Sequence, residues 1–376
     1  MRSLRWLACA LAAAQEAAAQ DAPLPPWQAS MLAARPNLRA SVHRSTFPED
    51  EALRAAGHGL GVSPAAETRV VIAMTTTPTR INFVEPALMS MLNQTQPLIL
   101  ILNVPKTYGS RRSHWNGRRV ELPPWLVALD KRGRARQDRS CVIVHFTDHD
   151  YGPATKIIGT LQALRDPAIR DALALGSDAI LVAADDDHEW EPYAVATLVA
   201  FAFGGAERPG YDKLKAAWSY HTYDYNRRAR DASAALCVLQ AGDLLAAPLT
   251  LWEGLESWGN ELLPGGKLPS CFFVDDMFFA AFLRTRQAKA FTHPWKKWLF
   301  VEAQRRKAAG VESFSPCDRG CAPVTIRLRY PDGLAMGLPR TRHNANCHNE
   351  LAAIGHWPKA STDADDFKCQ FGDFKT

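Results

Sequence analysis

From Arg69 onward, apolar residues fall into short blocks that alternate with amphipathic stretches. Val70–Met74, Leu98–Val104 and Cys141–Phe146 are continuous apolar or β-branched runs, the pattern of strands buried on both faces. Phe83–Leu92 between the first two has helical spacing, so the folded part opens as a β-α-β unit. Helices are predicted around Lys156–Leu164 and Pro167–Leu175, followed by a strand from Ala179 that runs into a polar turn. Beyond it the pattern predicts a helix over Glu191–Phe203, strands at Ala216–Tyr220 and Ala234–Gln240, a helix over Met277–Leu283 and a strand at Ala288–Phe291. Such alternation defines an α/β fold with a mostly parallel sheet flanked by helices.

The strand from Ala179 delivers Asp185, Asp186 and Asp187 into its turn, and ligands of open α/β sheets gather beyond the carboxyl ends of strands. If extended geometry continues, Asp185 and Asp187 share a side, roughly 6.5 to 7 Å apart, with Asp186 opposed. At an effective dielectric of 20 their charges repel by about 2.5 kcal/mol. A hard divalent cation held with a substrate phosphate removes that repulsion. The alternative is a solvated acidic turn that caps the helix over 191–203.

Composition sets outer bounds. With 376 residues, 47% hydrophobic and 22% charged, the chain has the make-up of a globular protein of one large or two modest domains. The net charge of +5 is concentrated: Lys106–Arg139 holds ten basic residues against three acidic ones. That segment is read as a solvated loop, with an anionic substrate or a membrane surface as possible partners. Its few aromatics argue against nucleic acid.

Met1–Arg5 is basic, Trp6–Ala14 is apolar, and small residues follow, which is the layout of a secretory signal peptide over residues 1–19. Nine apolar residues are too few to span a bilayer. Residues 20–66, rich in Pro and Ala without a sustained period, read as a stem. In a secretory compartment several of Cys141, Cys237, Cys271, Cys317, Cys321, Cys347 and Cys369 are expected to pair. Four of them lie in the last sixty residues, which predicts a disulfide-containing extension over 311–376. Asn93-Gln94-Thr95 is a glycosylation sequon, usable only if Asn93 is exposed.

Two further blocks, Thr75-Thr76-Thr77-Pro78-Thr79-Arg80-Ile81 after the first strand and Asp150-Tyr151-Gly152-Pro153-Ala154-Thr155-Lys156 before a helix, combine with Asn93-Gln94-Thr95 and the Asp triplet in an ordered series. The series resembles nucleotide-sugar-dependent glycosyltransferases of the GT-A fold, in particular a bacterial and algal group similar to glycosyltransferase family 2. The similarity spans roughly Arg69 to Leu283, within a domain placed at 67–310. The resemblance implies that Asp185 and Asp187 hold Mn2+ (or Mg2+) against the donor diphosphate, with Asp187 the more direct metal ligand, Asp185 nearer the ribose and Asp186 sharing either role.

Arg80 and Lys156 are then the cations nearest the donor, since Arg suits bidentate recognition and Lys gives phosphate a point charge. The alternatives are a surface ion pair for Arg80 and a solvent-facing Lys156. Asp275 and Asp276 stand in the apolar stretch Cys271–Phe279 at a helix start. By the resemblance Asp276, or else Asp275, deprotonates the acceptor hydroxyl, while helix capping by Asp275 fits the same position. Gln240-Ala241-Gly242 is either a turn beside the donor sugar or a plain turn. The resemblance also implies a histidine from the tail completing the metal shell, His348 before His343, with a surface histidine as the alternative.

The expected function is transfer of a sugar from a nucleotide-sugar to a hydroxyl of a glycan, protein or lipid acceptor, in the Golgi or ER lumen or outside the cell. A metal-dependent phosphoesterase and a catalytically inactive carbohydrate-binding member of the fold are the alternatives.

Overall fold

The computed structural model describes residues 69–94, 96–109, 117–136, 140–172, 175, 179–190, 194–203, 212–220, 222–224, 237–263, 267–292, 324–327, 340–356 and 370–371. The expected signal peptide and stem lie outside them. No helix among the described residues is long and apolar enough to cross a membrane.

In chain order the elements are β1 (Val70–Thr75), α1 (Glu85–Leu92), β2 (Leu98–Pro105), α2 (Pro124–Arg136), β3 (Cys141–Thr147), α3 (Thr155–Ala163), α4 (Pro167–Ala172), β4 (Ile180–Ala183), β5 (His188–Trp190), α5 (Ala194–Phe203), β6 (Ala216–Ser219), β7 (Thr222–Asp224), β8 (Cys237–Leu239), β9 (Leu245–Pro248), α6 (Leu255–Leu262), α7 (Asp275–Thr285), β10 (Lys289–Thr292), β11 (Val324–Arg327), α8 (Arg340–Ala353) and β12 (Gln370–Phe371). Eight strands form one sheet in the order β12-β10-β6-β9-β4-β1-β2-β3. All its pairings are parallel except those of β9, which runs antiparallel to both β4 and β6. The expected α/β architecture with a mostly parallel, helix-flanked sheet is therefore present.

Alternation along the strands sorts side chains into two layers. Val70, Ile72, Met74, Ile180 and Val182 pack with α1 and α5. Ala73, Leu181 and Ala183 face α3, α6 and α7. Asn103, buried on β2, donates through Nδ2 to the Lys156 carbonyl at 2.8 Å and to Thr160 Oγ1 at 2.7 Å. Gly159 permits this approach, because a Cβ there would lie 2.6 Å from Asn103 Oδ1. The first turn of α3 is thereby fixed to the sheet.

Much of the basic segment expected as a loop is α2, which covers the edge strand β3. Gly133 lets the helix close in, since its Cβ would meet the Val142 carbonyl oxygen at 2.1 Å. Asp130 then accepts from the Val144 N–H at 2.8 Å, and Arg134 donates to the Val144 carbonyl at 2.6 Å. One i,i+4 pair thus satisfies backbone groups that an edge strand leaves open. The helix escaped the sequence reading because its exposed face is strongly charged.

The described residues beyond 311 join the fold: β12 extends the large sheet, β11 pairs with β5, and α8 is joined to the domain by a Cys271–Cys347 disulfide. This bond ties the extension to the turn before α7, where the sequence had left the pairing open. Cys317, Cys321 and Cys369 lie outside the described residues, as does the side chain of Cys237. On the same turn Glu350 of α8 accepts from the N–H groups of Ser270 and Cys271, at 3.0 and 3.3 Å to its Oε2. Replacing Cys271 and Cys347 by serine is expected to cost about 2–4 kcal/mol, given the 76-residue separation. Denaturant unfolding checks this, with reductant on the parent protein as the matching control. A loss below about 1 kcal/mol would mean that α8 docks without the bond.

Candidate functional site

The site is assembled at the carboxyl end of β4 from five separated stretches. β4 ends at Ala183 and the chain turns at Asp186–Asp187 before entering β5, so the extended spacing expected for the aspartates does not persist. The turn brings one ligand atom each from Asp185, Asp187 and His188 to within 4.8 Å of one another. Two carboxylates and an imidazole in that compass suit a divalent cation of borderline softness. His188 Nδ1 lies 2.7 Å from Asp187 Oδ1, and that buried oxygen takes no hydrogen bond of acceptable geometry among the described residues.

Asp186 turns the other way. It accepts from Thr76 Oγ1 at 2.7 Å and from Arg80 Nη1 at 2.9 Å, which anchors the turn to the loop after β1. Arg80 also lies 3.9 Å from Asp187 Oδ2. Its side chain is 19% exposed, so Arg80 is a half-buried clamp rather than a surface ion pair. The anchor is braced in turn, because the buried Tyr108 donates its hydroxyl to the Thr76 carbonyl at 2.8 Å.

Burial pushes the Asp186 carboxyl up to about 6; Arg80 and the Thr76 hydroxyl pull against that rise, and Asp187 adds to it. The folded chain therefore holds this proton more tightly than the unfolded chain does. Ionisation of Asp186 between about pH 4 and pH 6 lowers stability as the pH rises. Asp186→Asn is expected to flatten that part of the stability profile, measured by denaturation at stepped pH. An unchanged profile would mean that the carboxylate is ionised throughout.

Lys156 enters from the first turn of α3 and is 1% exposed. Its ammonium pairs with Asp185 Oδ1 and with Asp275 Oδ2, the latter at 2.8 Å. Burial opposes the charge, but Asp185 and Asp275 outweigh it and hold the pKa above the usual lysine value. The solvent-facing alternative for Lys156 is thus overturned.

Gly152 helps place this helix. With φ +65°, it sits where a Cβ would come 1.9 Å from the Phe272 carbonyl oxygen, so the Tyr-Gly-Pro turn packs on the turn preceding Asp275.

Asp275 is the first residue of α7, whose N-cap position is Val274, and its carboxylate pairs with Lys156. Asp276 is buried and accepts from the Ala241 N–H at 2.7 Å. The Ala241–Asp243 turn touches the triplet as well, since a Cβ on Gly242 would fall 2.2 Å from Asp185 Oδ2. The turn expected either beside the site or as a plain connection therefore lies against Asp185 and Asp276 together.

Residues 191–193, where the triplet would cap the helix expected over 191–203, lie outside the described residues. α5 begins at Ala194, and its Val195 N–H is taken by Gln94 Oε1 at 2.9 Å. Asn93 beside it is exposed.

The histidines sought in the tail are elsewhere. His348 is half-buried on α8 next to Asn349, and His343 packs on Phe273 with ring centroids 4.7 Å apart. Neither belongs to the ligand group of Asp185, Asp187 and His188. Sequence reasoning passed over His188 as a ligand although it follows the triplet directly. It also missed Asp243, whose Oδ1 lies 3.9 Å from His188 Nε2. Trp218 and Tyr220 are core residues, the first stacked on Phe291 and the second hydrogen-bonded to the Ala194 carbonyl.

Fold and site together define an α/β protein in which two carboxylates and an imidazole, close enough together to hold a metal ion, lie beyond a central strand. Neither a protein-family model nor a curated protein matches the sequence.

Proposed function

We propose that the protein is a glycosyltransferase of the GT-A type, moving a sugar from a nucleotide-sugar donor to an acceptor hydroxyl. The observation that carries the reading is convergence. The Thr-Thr-Thr-Pro-Thr-Arg, Tyr-Gly-Pro-Ala-Thr-Lys and Asp-Asp-Asp blocks and the Asp275–Asp276 pair are far apart in the chain, yet Arg80, Lys156, Asp185, Asp186 and Asp275 are joined by direct contacts.

Asp185, Asp187 and His188 fit a divalent cation, Mn2+ or Mg2+, which when bound supplies Lewis-acid stabilisation of the departing nucleoside diphosphate. Arg80 and Thr76 hold the turn that presents these ligands, and Lys156 sets Asp185 from behind. Asp276 is the preferred general base toward the acceptor, because Asp275 already serves Lys156. The acceptor is a glycan, protein or lipid reached in the secretory pathway. Exposed Arg118, Arg119, Lys131 and Arg132 leave a basic surface for an anionic acceptor or membrane.

His188 beside two aspartates favours the phosphoesterase as the second reading. That chemistry commonly uses two adjacent metal ions, whereas one ligand group is found among the described residues.

Calorimetric titration with UDP, GDP and CMP, each with and without Mn2+, tests the proposal. Metal-dependent binding of one nucleotide is the expected result and names the donor class. Failure to bind any of the three overturns the reading in favour of the phosphoesterase or the inactive carbohydrate-binding member.

A further inference from the structure

We infer that His188 is itself a ligand of the divalent cation through Nδ1, and that Asp243 is the positioning residue that orients its ring. The inference rests on the cation site proposed above and goes further by giving that site its metal preference.

The ring is held by regular structure. His188 opens β5 and pairs across to Arg327 of β11, and its ring lies against Trp190 with centroids 5.6 Å apart. Only 4% of the residue is exposed. Nδ1 faces the ligand group, 2.7 Å from Asp187 Oδ1, while Nε2 faces Asp243 Oδ1 at 3.9 Å. A carboxylate behind the far nitrogen of a metal-bound imidazole fixes the ring and its tautomer, and raises its basicity. The 3.9 Å separation is an ion-pair distance, longer than a hydrogen bond.

Asp243 is well placed to orient the ring. It is buried, its N–H is bonded to the Gln240 carbonyl, and its own carbonyl accepts from Ser219 Oγ and from the Tyr220 N–H. The backbone that carries the carboxylate is thus fixed to the end of β6. Lys156 pairs with Asp185, and Arg80 with Asp186 and Asp187. The ligand set is two carboxylates and one neutral imidazole, with charge −2 to match a divalent ion. Imidazole suits borderline transition ions, while a site for Mg2+ is built from oxygen. The site should accordingly prefer Mn2+, Co2+ or Zn2+ to Mg2+.

Pulsed electron paramagnetic resonance of the full chain loaded with Mn2+ alone reads the ligand directly. Nitrogen modulation from a coordinated imidazole is expected in the parent protein and is lost in His188→Gln, with a narrowed Mn2+-over-Mg2+ preference. Asp243→Asn should keep the modulation but weaken Mn2+ binding by about 10- to 100-fold, and Asp243→Glu should recover part of the loss. A purely structural role for Asp243 would instead lower the unfolding midpoint without changing metal affinity. Should His188→Gln not fold, Zn2+ titration of the parent protein with 15N-labelled histidine serves instead. One imidazole moving to a metal-bound Nδ1 with a protonated Nε2 is expected, and no such shift overturns the inference. Mn2+ binding without nitrogen modulation overturns the role of His188 and leaves the cation site standing. No Mn2+ binding at all overturns both.

Discussion

Lys156→Met is expected to destabilise the fold by about 3–5 kcal/mol, the usual cost of removing one partner from a buried charge group. The lysine is 1% exposed and serves two carboxylates. The Asp275 side chain is 10% exposed and that of Asp185 is 38% exposed. Water can compensate Asp185 in part, so most of the cost falls on Asp275, which the methionine leaves as a buried charge without its ammonium. Lys156→Met combined with Asp275→Asn should therefore be more stable than Lys156→Met alone, a non-additivity expected for groups in direct contact. Denaturant unfolding without divalent ions measures both variants. A single-variant loss below about 1 kcal/mol, or no recovery in the double variant, would show that the ion group does not hold α3 to α7.

The second large effect concerns the cation. Asp187→Ala removes a carboxylate that reaches both His188 and Arg80, and should weaken metal-dependent nucleotide binding by at least about 100-fold, roughly 2.7 kcal/mol. Asp276→Asn is the companion variant. Its amide oxygen still accepts from the Ala241 N–H but no longer takes a proton, so binding should persist while nucleoside diphosphate release slows by about 10²- to 10⁴-fold. Calorimetry separates the two effects from a turnover assay. Parent-like turnover in both variants would remove the assignment of donor side to Asp187 and acceptor side to Asp276.

How much of this was legible in the chain differs by element. β1, β2, β3 and β4 were read to within a residue or two because buried parallel strands are continuous apolar runs bounded by polar turns. α3 and α7 were visible for a related reason, their helical spacing being uninterrupted. β9 was missed: Leu-Ala-Ala-Pro is short and ends in proline, and only its place between β4 and β6 makes it a strand. α6 was missed as well, its eight residues being too few for a clear period.

Within the site the residue types were legible and the partners were not. The aspartates, Arg80 and Lys156 stood out as charges beside apolar runs. Nothing local told that Asp186 would turn 106 residues back to Arg80, or that Lys156 would join Asp185 to Asp275 rather than face solvent. His188 was adjacent to the triplet, yet its neighbour Asp243 lies 55 residues on in the chain. The sequence by itself determined the β-α-β alternation, the burial of the strands and the delivery of an acidic turn at a strand end, because these follow from hydrophobic period and turn chemistry within a few residues. The tertiary structure alone decided which charge meets which, and which cysteine Cys271 takes. Electrostatic pairing in a desolvated interior depends on distances between distant segments, and those are set only once the sheet has closed.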